Sequence, residues 1–289
     1  MGTVLAVKDR PQPGRSDQRG AEARLPLSVF LIVRNEARRL SRTLEAVAAL
    51  ADDIVVVDSG STDETCAIAR AFGARVIVNT PFPGYGEQKR FAEAACRHDW
   101  VLNVDADEVI SQALRQEIRA LLSQPRIEAD GYAVKIVEVL PGEGSPAEGA
   151  HGLSAVRLYR RSRGSYNPSP VHDRVEMADG AVTARLRGVV EHHSILTLDQ
   201  FAAKLSAYSS LQAADAHRRG RRVSSLRVGV EFPYAFLRAY VGRRQFRRGV
   251  VGFLMALHYA LFRTTRMAKI HALGSENRTL RALLALDTP

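Results

Sequence analysis

Apolar positions in the first half of the chain come in short unbroken runs, each followed by a stretch with helical spacing. Leu27-Ser28-Val29-Phe30-Leu31-Ile32-Val33 reads as a strand buried on both faces. A helix is predicted over 36–50, where Leu40, Leu44, Val47 and Leu50 share one face. Asp53-Ile54-Val55-Val56-Val57-Asp58 is a second buried strand. Ser59-Gly60-Ser61-Thr62-Asp63 makes a turn and caps a helix that begins near Glu64. Residues 75–78 form a third short strand, and a Pro/Gly loop over 81–86 leads into a helix ending near Arg97. The run Trp100-Val101-Leu102-Asn103-Val104 is a further strand, and 111–122 a further helix. Continuous apolar strands alternating with helices predict an α/β fold with a mostly parallel sheet covered by helices on both faces.

Past Gly131 the pattern changes. Residues 131–138 alternate like a strand, 141–152 are a Gly/Pro/Glu loop, and 154–160 and 188–191 read as further strands. A helix is expected over 199–216. The remainder is basic and helical, with a 14-residue apolar run over 249–262 that contains His258. A spanning helix needs roughly 20 such residues, so an in-plane amphipathic segment or a buried helix fits better. The expected organisation is a disordered leader over 1–24, a catalytic domain over 25–200 and a basic helical C-terminal region over 201–289.

Charge sharpens that division. Residues 201–289 hold 16 of the 41 Lys+Arg but 4 of the 31 Asp+Glu, a net of +12. Residues 1–200 hold 25 basic against 27 acidic residues, a net of −2. Basic appendages of this kind meet anionic lipid, anionic substrates or nucleic acid. Cys66 and Cys96 have no metal-ligand spacing and fit a reducing compartment. The first 24 residues carry no apolar signal core, and Ala6 stands where a myristoylation signal wants Ser or Thr.

The chemistry concentrates behind one strand. Asp105-Ala106-Asp107-Glu108 follows the apolar run 100–104, and an extended chain would set Asp105 and Asp107 on the same side. Converging carboxylates repel unless a cation lies between them, and hard oxygen ligands with open positions suit Mg²⁺ or Mn²⁺ with a phosphate as co-ligand. On its own a D-x-D is as readily a solvated turn. Here Asn35, Asp58 and Asp105 all fall at strand ends, the edge at which parallel sheets bind ligands. Other motifs fail. Gly84-Tyr85-Gly86 has Lys89 where a dinucleotide fingerprint needs glycine or alanine, and it follows a loop instead of the first strand. There is no P-loop, no G-x-S-x-G elbow, no zinc spacing around His192-His193, and no DNA recognition helix in the first 200 residues.

Taken together, Val33-Arg34-Asn35-Glu36-Ala37, the segment Val55 to Asp63 and Asp105-Ala106-Asp107-Glu108 resemble the N-E-A, strand-turn and metal motifs of family 2, GT-A-type (Rossmann-like) glycosyltransferases. The similarity is nearest to the bacterial lipopolysaccharide-core β-glucosyltransferase type, which also shows a Gln-Lys element, here Gln88-Lys89, and a "vHE" element, here Val171-His172-Asp173. The resemblance covers roughly residues 26–215. It implies an inverting enzyme that moves a hexose from a UDP-sugar to a hydroxyl of a glycan or lipid-linked acceptor in cell-envelope polysaccharide or lipopolysaccharide-core synthesis. It implies that Asp58 bonds uracil or ribose, that Asn35 and Glu36 line the nucleotide pocket, and that Lys89 touches nucleotide or diphosphate. Asp105 would face ribose and metal, and Asp107 would hold Mn²⁺ or Mg²⁺ on the diphosphate. His193 is the expected third ligand, with His192 as its alternative. Asp173 would be the general base, with His172 beside it, although relatives carry Glu at that position, one methylene longer. Arg157 could reach phosphate or acceptor.

The expected location is cytoplasmic, peripheral on the inner face of the cytoplasmic membrane, where the arginines flanking 249–262 would meet anionic headgroups. Nucleic acid is not an expected partner. Two competing readings differ in class. A nucleotidyltransferase would want a Gly-rich basic loop where Arg34-Asn35-Glu36 stands. A non-catalytic membrane or nucleic-acid adaptor on the same scaffold would not need intact Asp58, Asp105 and Asp107.

Overall fold

A computed structural model describes residues 23–146, 152–170, 172–195, 197–275 and 277–286. The expected leader and Val171 of the "vHE" element therefore lie, wholly or nearly so, outside the described residues.

The first half alternates strands and helices: β1 (Leu25–Val33), α1 (Leu40–Ala48), β2 (Ala51–Asp58), α2 (Thr65–Ala71), β3 (Arg75–Val78), α3 (Tyr85–Ala94) and β4 (Trp100–Asn103). Then come β5 (Glu108–Ile110), α4 (Gln112–Leu122), β6 (Gly131–Glu138), β7 (Gly152–Arg160), a small hairpin of β8 (Gly164–Tyr166) and β9 (Val175–Met177), and β10 (Thr183–His192). Eight strands form one sheet in the order β3-β2-β1-β4-β7-β6-β10-β5. The pairs β1–β2, β1–β4, β2–β3 and β6–β10 are parallel, whereas β7 runs antiparallel to both its neighbours and β5 antiparallel to β10. This is a mostly parallel, Rossmann-like GT-A sheet.

Strand alternation sorts side chains onto two cores. Val29, Leu31, Ile54, Val56 and Leu102 face one side, where Leu40, Leu44 and Val47 of α1 and Leu114 and Ile118 of α4 cover them. Phe30, Val55, Val57, Val101 and Tyr159 face the other, under α3 and Tyr166 of β8. A buried polar staple ties the sheet together. Asp53 accepts from Ser28 Oγ (2.6 Å), Arg75 Nε (2.9 Å) and the Arg97 amide (2.9 Å), which joins β1, β2, β3 and the end of α3.

Three boundaries differ from the sequence expectation, each for a local reason. The first helix starts at Leu40, not at 36. The amides of Asn35, Glu36 and Ala37 instead donate to Ser61, Thr65 and Asp63, and Asn35 takes a left-handed conformation at φ 56°. β5 was not foreseen because it spans three residues and pairs with the distant β10. β10 is also longer than expected, reaching back to Thr183 through an irregularity in its pairing with β6 between Arg185 and Val189.

The C-terminal region is helical, with α5 (Leu198–Arg218), α6 (Ser225–Leu237), α7 (Gly249–Leu273) and α8 (Arg278–Leu283). A π turn (Arg238–Gly242) and a 3-10 turn (Gln245–Arg248) join α6 to α7. Polar contacts cross this bundle. Glu231, fully buried, lies between Arg227 and Arg263, each 2.6 Å from it, and Lys269 donates to Ser209 and Ser210. The apolar run 249–262 is the first part of the 25-residue α7. Among the described residues no helix is long and apolar enough to cross a membrane.

Candidate active site

A cleft of about 1100 Å³ opens above the carboxyl ends of β1 and β4, walled by α3, β7, the end of β10 and α5. It contains Asn35, Glu36, Lys89, Asp105, Asp107 and Asp173 of the residues expected from the sequence.

The acidic tetrapeptide is not extended. The Glu108 amide donates to the Asp105 carbonyl (3.0 Å), and the Glu108 carboxylate accepts from the Asp105 amide (2.9 Å), closing a tight turn. Thr43 Oγ1 on α1 holds the Ala106 carbonyl at 2.9 Å. Asp105 and Asp107 therefore do not share one strand face, and each meets its own cations. Asp105 Oδ1 lies 2.9 Å from Lys89 Nζ, and its Oδ2 lies 3.2 Å from Arg157 Nη2. Burial by itself would raise the Asp105 carboxyl, but Lys89 and Arg157 outweigh it and hold the group well below the usual carboxylate range. The same pairing works in reverse on Lys89: burial favours the neutral amine, yet Asp105 and Asp173 keep its pKa raised. Arg157 also bridges to Glu108 (2.8 Å) and donates to Asn103, which in turn accepts from Tyr166 Oη (2.6 Å). Arg157 is thus a buried hub of the site, which its position in an alternating strand did not reveal.

Asp107 faces a different group. His192 Nε2 stands 3.4 Å from Asp107 Oδ2, and Arg39 Nη1 stands 3.5 Å from the same oxygen. The other ring nitrogen of His192, Nδ1, is 2.9 Å from Glu138 Oε2 at the end of β6. Glu138 is in turn fixed by the Ser194 amide (3.2 Å) and hydroxyl (2.9 Å). Burial would depress the His192 pKa, but Asp107 and Glu138 lift it to about 10. A carboxylate behind a histidine that points its free nitrogen at a second carboxylate is a usual metal-ligand arrangement. Asp107 and His192 could therefore hold a hard divalent cation between them, with its other positions left open.

The expected ligand set Asp105, Asp107 and His193 is not gathered at one point. Asp105 is occupied by Lys89 and Arg157. His193 follows the end of β10, and its ring lines a second cavity of about 180 Å³ with Arg42 and Leu140 that Arg39 and Asp107 also border, its Nε2 without a hydrogen bond and 3.6 Å from Glu191. Among the described residues no group of three or more His, Cys, Asp or Glu side chains forms an ion site by itself. Of the two adjacent histidines it is His192 that faces Asp107, because the strand continues through His192, which is registered against Glu138.

Asp173 reaches the cleft by another route. The segment 167–170 packs on the N-terminus of α3, where the Tyr85 and Gly86 amides donate to the Pro170 and Ser169 carbonyls at 3.2 and 3.0 Å. A Cβ on Gly86 would lie 2.2 Å from the Asn167 carbonyl oxygen, so that approach requires glycine. The Gly84-x-Gly86 pair set aside as a failed fingerprint is thus a packing device. It brings Asp173 Oδ2 to 2.9 Å from Lys89 Nζ, one ammonium bridging Asp105 and Asp173. His172 is exposed and outside the cleft, its amide bonded to Ser169 Oγ (3.0 Å).

Asp58 is also absent from the cleft wall. It is buried and bonds its own turn, accepting from the Gly60 and Ser61 amides (each 3.0 Å) and the Ser61 hydroxyl. Ser61 then holds the Asn35 amide (2.9 Å), and Asn35 Oδ1 accepts from the Thr62 amide (2.8 Å). Asp58 shapes the pocket floor through this chain of contacts. Arg39, Glu138, Tyr166, Lys204 and Tyr208 complete the site and carried no motif signal. The last two come from α5, far along the chain.

A mostly parallel sheet with an acidic turn and a histidine at its ligand edge defines a GT-A-type scaffold. Residues 28–173 match the family described as Glycosyl transferase family 2. The chain is 36% identical over 264 residues to an uncharacterized glycosyltransferase of Rickettsia prowazekii (strain Madrid E), covering 88% of this chain and 89% of that one. It is 34% identical over 253 residues to the lipopolysaccharide core biosynthesis glycosyltransferase LpsC of Rhizobium meliloti (strain 1021), covering 86% and 93%. Among solved structures it is similar to the mannosyltransferase PcManGT from Pyrobaculum calidifontis in complex with GDP-Man and Mn²⁺, at 15% identity and TM-score 0.45, covering 92% and 80%. The chain belongs to glycosyltransferase family 2.

Proposed function

We propose that this glycosyltransferase moves a hexose from a UDP-sugar to a hydroxyl of a glycan or lipid-linked acceptor, with inversion, in lipopolysaccharide-core or related envelope synthesis. The reading puts it in the cytoplasm, at the inner face of the cytoplasmic membrane. The observation that carries it is the Glu138–His192–Asp107 relay at the mouth of the cleft, facing the Lys89–Asp105–Arg157 cluster. The relationship to LpsC supports the envelope setting.

Asp107 and His192 would hold Mn²⁺ or Mg²⁺. When bound, such an ion supplies Lewis-acid neutralisation of the charge that grows on a departing diphosphate. The remaining work falls to this chain's own side chains. Lys89 and Arg157 fix Asp105 in an orientation where it can face the ribose. Asn35 and Glu36 border the nucleotide end. Asp173, aimed into the cleft by Lys89, accepts the acceptor hydroxyl proton as attack proceeds. A single displacement converts an α-linked donor into a β-glycoside.

The test is a thermal-shift panel of nucleotide sugars with and without Mn²⁺. UDP-sugars should raise the melting temperature only with the ion, and Asp107→Ala should remove the effect. An equal rise without any divalent ion, or a preference for a different nucleotide, would overturn the donor and metal assignment.

A further inference from the structure

We infer that the tip of the α6–α7 hairpin docks on an anionic lipid bilayer and sets the cleft beside the membrane surface. This inference rests on the hairpin's surface and not on the donor chemistry. Along α6 and the π turn, Leu226, Val230, Tyr234, Leu237 and Val241 recur at helical spacing, and all are exposed, Leu226 at 76% and Leu237 at 59%. Phe246 and Val250 continue the surface across the 3-10 turn, Val250 at 75% exposure. Isolated apolar side chains on a surface are ordinary, but a continuous stripe of them marks a docking face.

The charge around the stripe identifies what covers it. Residues 221–275 contain 11 Lys and Arg and one acidic residue, Glu231. Glu231 is buried and already bridged by Arg227 and Arg263, so it presents no negative charge to a partner. At the tip Arg238, Arg244 and Arg247 are exposed and make no ion pair among the described residues. They alternate with Leu237, Val241 and Phe246. Apolar side chains interleaved with unpaired arginines match the boundary between acyl chains and anionic headgroups. A second copy of the chain would bring its own uncompensated arginines against these and is disfavoured by like charge.

The tip is packed against its neighbours. Phe236, Tyr240 and Phe253 pack as an aromatic ladder with centroids 5.3 to 6.0 Å apart. A Cβ on Gly252 would fall 1.8 Å from the Gln245 carbonyl oxygen, so this glycine lets the turn close on α7. Arg248 donates to the Glu138 carbonyl (3.2 Å) and to Glu143 (3.2 Å), anchoring the tip to the end of β6. Glu138 is the residue that orients His192. The membrane-facing tip and the catalytic rim are therefore connected through Arg248 and Glu138, which would bring an acceptor held in the bilayer near the cleft.

The full-length protein should float with vesicles containing phosphatidylglycerol and not with vesicles of phosphatidylcholine alone. Arg244→Gln with Arg247→Gln should weaken binding about thirty-fold by removing two headgroup-level charges, and raised salt should mimic that loss. Leu237→Ser with Val241→Ser should weaken it about tenfold or more through lost apolar burial. Both double variants should keep the parent melting temperature and its response to nucleotide. Absence of flotation, or variants that float like the parent, overturns the inference. So does a dimer in solution that Leu237→Ser with Val241→Ser dissociates, because a second copy would then cover the face.

Discussion

Replacing Glu138 by Gln isolates the part of the site that orients His192. In the structure Glu138 Oε2 holds His192 Nδ1 at 2.9 Å, while Oε1 accepts from the Ser194 amide and hydroxyl. Glutamine keeps the shape, but it offers one acceptor in place of two and no charge. A hydrogen bond to a charged group contributes about 1.5–3 kcal/mol and a neutral one about half of that. The change should then cost about 1–1.5 kcal/mol in the binding of a divalent ion by Asp107 and His192, or five- to tenfold in affinity. Glu138→Ala, which removes the partner outright, should reach tenfold to a hundredfold, the range found for residues behind metal-ligating histidines. Isothermal titration of Mn²⁺ into the protein saturated with UDP measures this directly. His193→Ala serves as the control, because among the described residues the His193 ring pairs with Glu191 (3.6 Å) and not with the Asp107 carboxylate. It should leave Mn²⁺ affinity within about twofold of the parent, since alanine keeps the 193 amide that donates to the Asp107 carbonyl (2.8 Å). Unchanged affinity in Glu138→Gln and Glu138→Ala, or a larger loss in His193→Ala than in His192→Ala, refutes the reasoning.

Three further outcomes are expected. Asp173→Asn should keep the Kd for UDP-sugar and lower kcat by about a hundredfold or more, and a retained kcat would move the base elsewhere. Gly86→Ala should destabilise by about 1–3 kcal/mol, because its Cβ would lie 2.2 Å from the Asn167 carbonyl oxygen; a parent-like Tm would show that the 167–170 segment is not pinned there. Asp53 carries a pH signature. Burial would raise its carboxyl, but Arg75, Ser28 and the Arg97 amide together hold it below the usual range. Its contribution is therefore full above the unfolded value of about 3.9 and is lost as pH falls through the lower folded value. The Tm gap between parent and Asp53→Asn should narrow below about pH 4, and a gap that stays constant into acid would exclude this role.

The strands and helices of the first half were legible because each has an unbroken apolar run or a clean 3.6-residue face. Phe30 and Leu31 show how much that gives, since adjacent residues of one strand serve opposite cores. Side-chain direction at the strand ends was harder. The alternation argument for Asp105 and Asp107 assumed an extended chain, and the Glu108 carboxylate capping the Asp105 amide bends it instead. The His192-His193 pair could not be resolved while the strand seemed to stop at 191; once β10 is seen to reach His192, its register against Glu138 selects that ring. Asp58 stands at a strand end as expected, but the Gly60-Ser61 turn takes up its oxygens. Tertiary partners such as Arg157 and Tyr208 leave no local trace, because an arginine or tyrosine on a strand or helix reads the same whether it meets water or a carboxylate.

The account stands on Asp107 and His192 together gripping the ion that carries a nucleotide-sugar diphosphate. A crystal grown with UDP and Mn²⁺, with anomalous scattering used to locate manganese, tests that most directly. The account predicts a manganese peak bound by the Asp107 carboxylate and His192 Nε2, with diphosphate oxygens completing its shell and Glu138 still on His192 Nδ1. Manganese held by His193, or by groups away from the acidic turn, would contradict it.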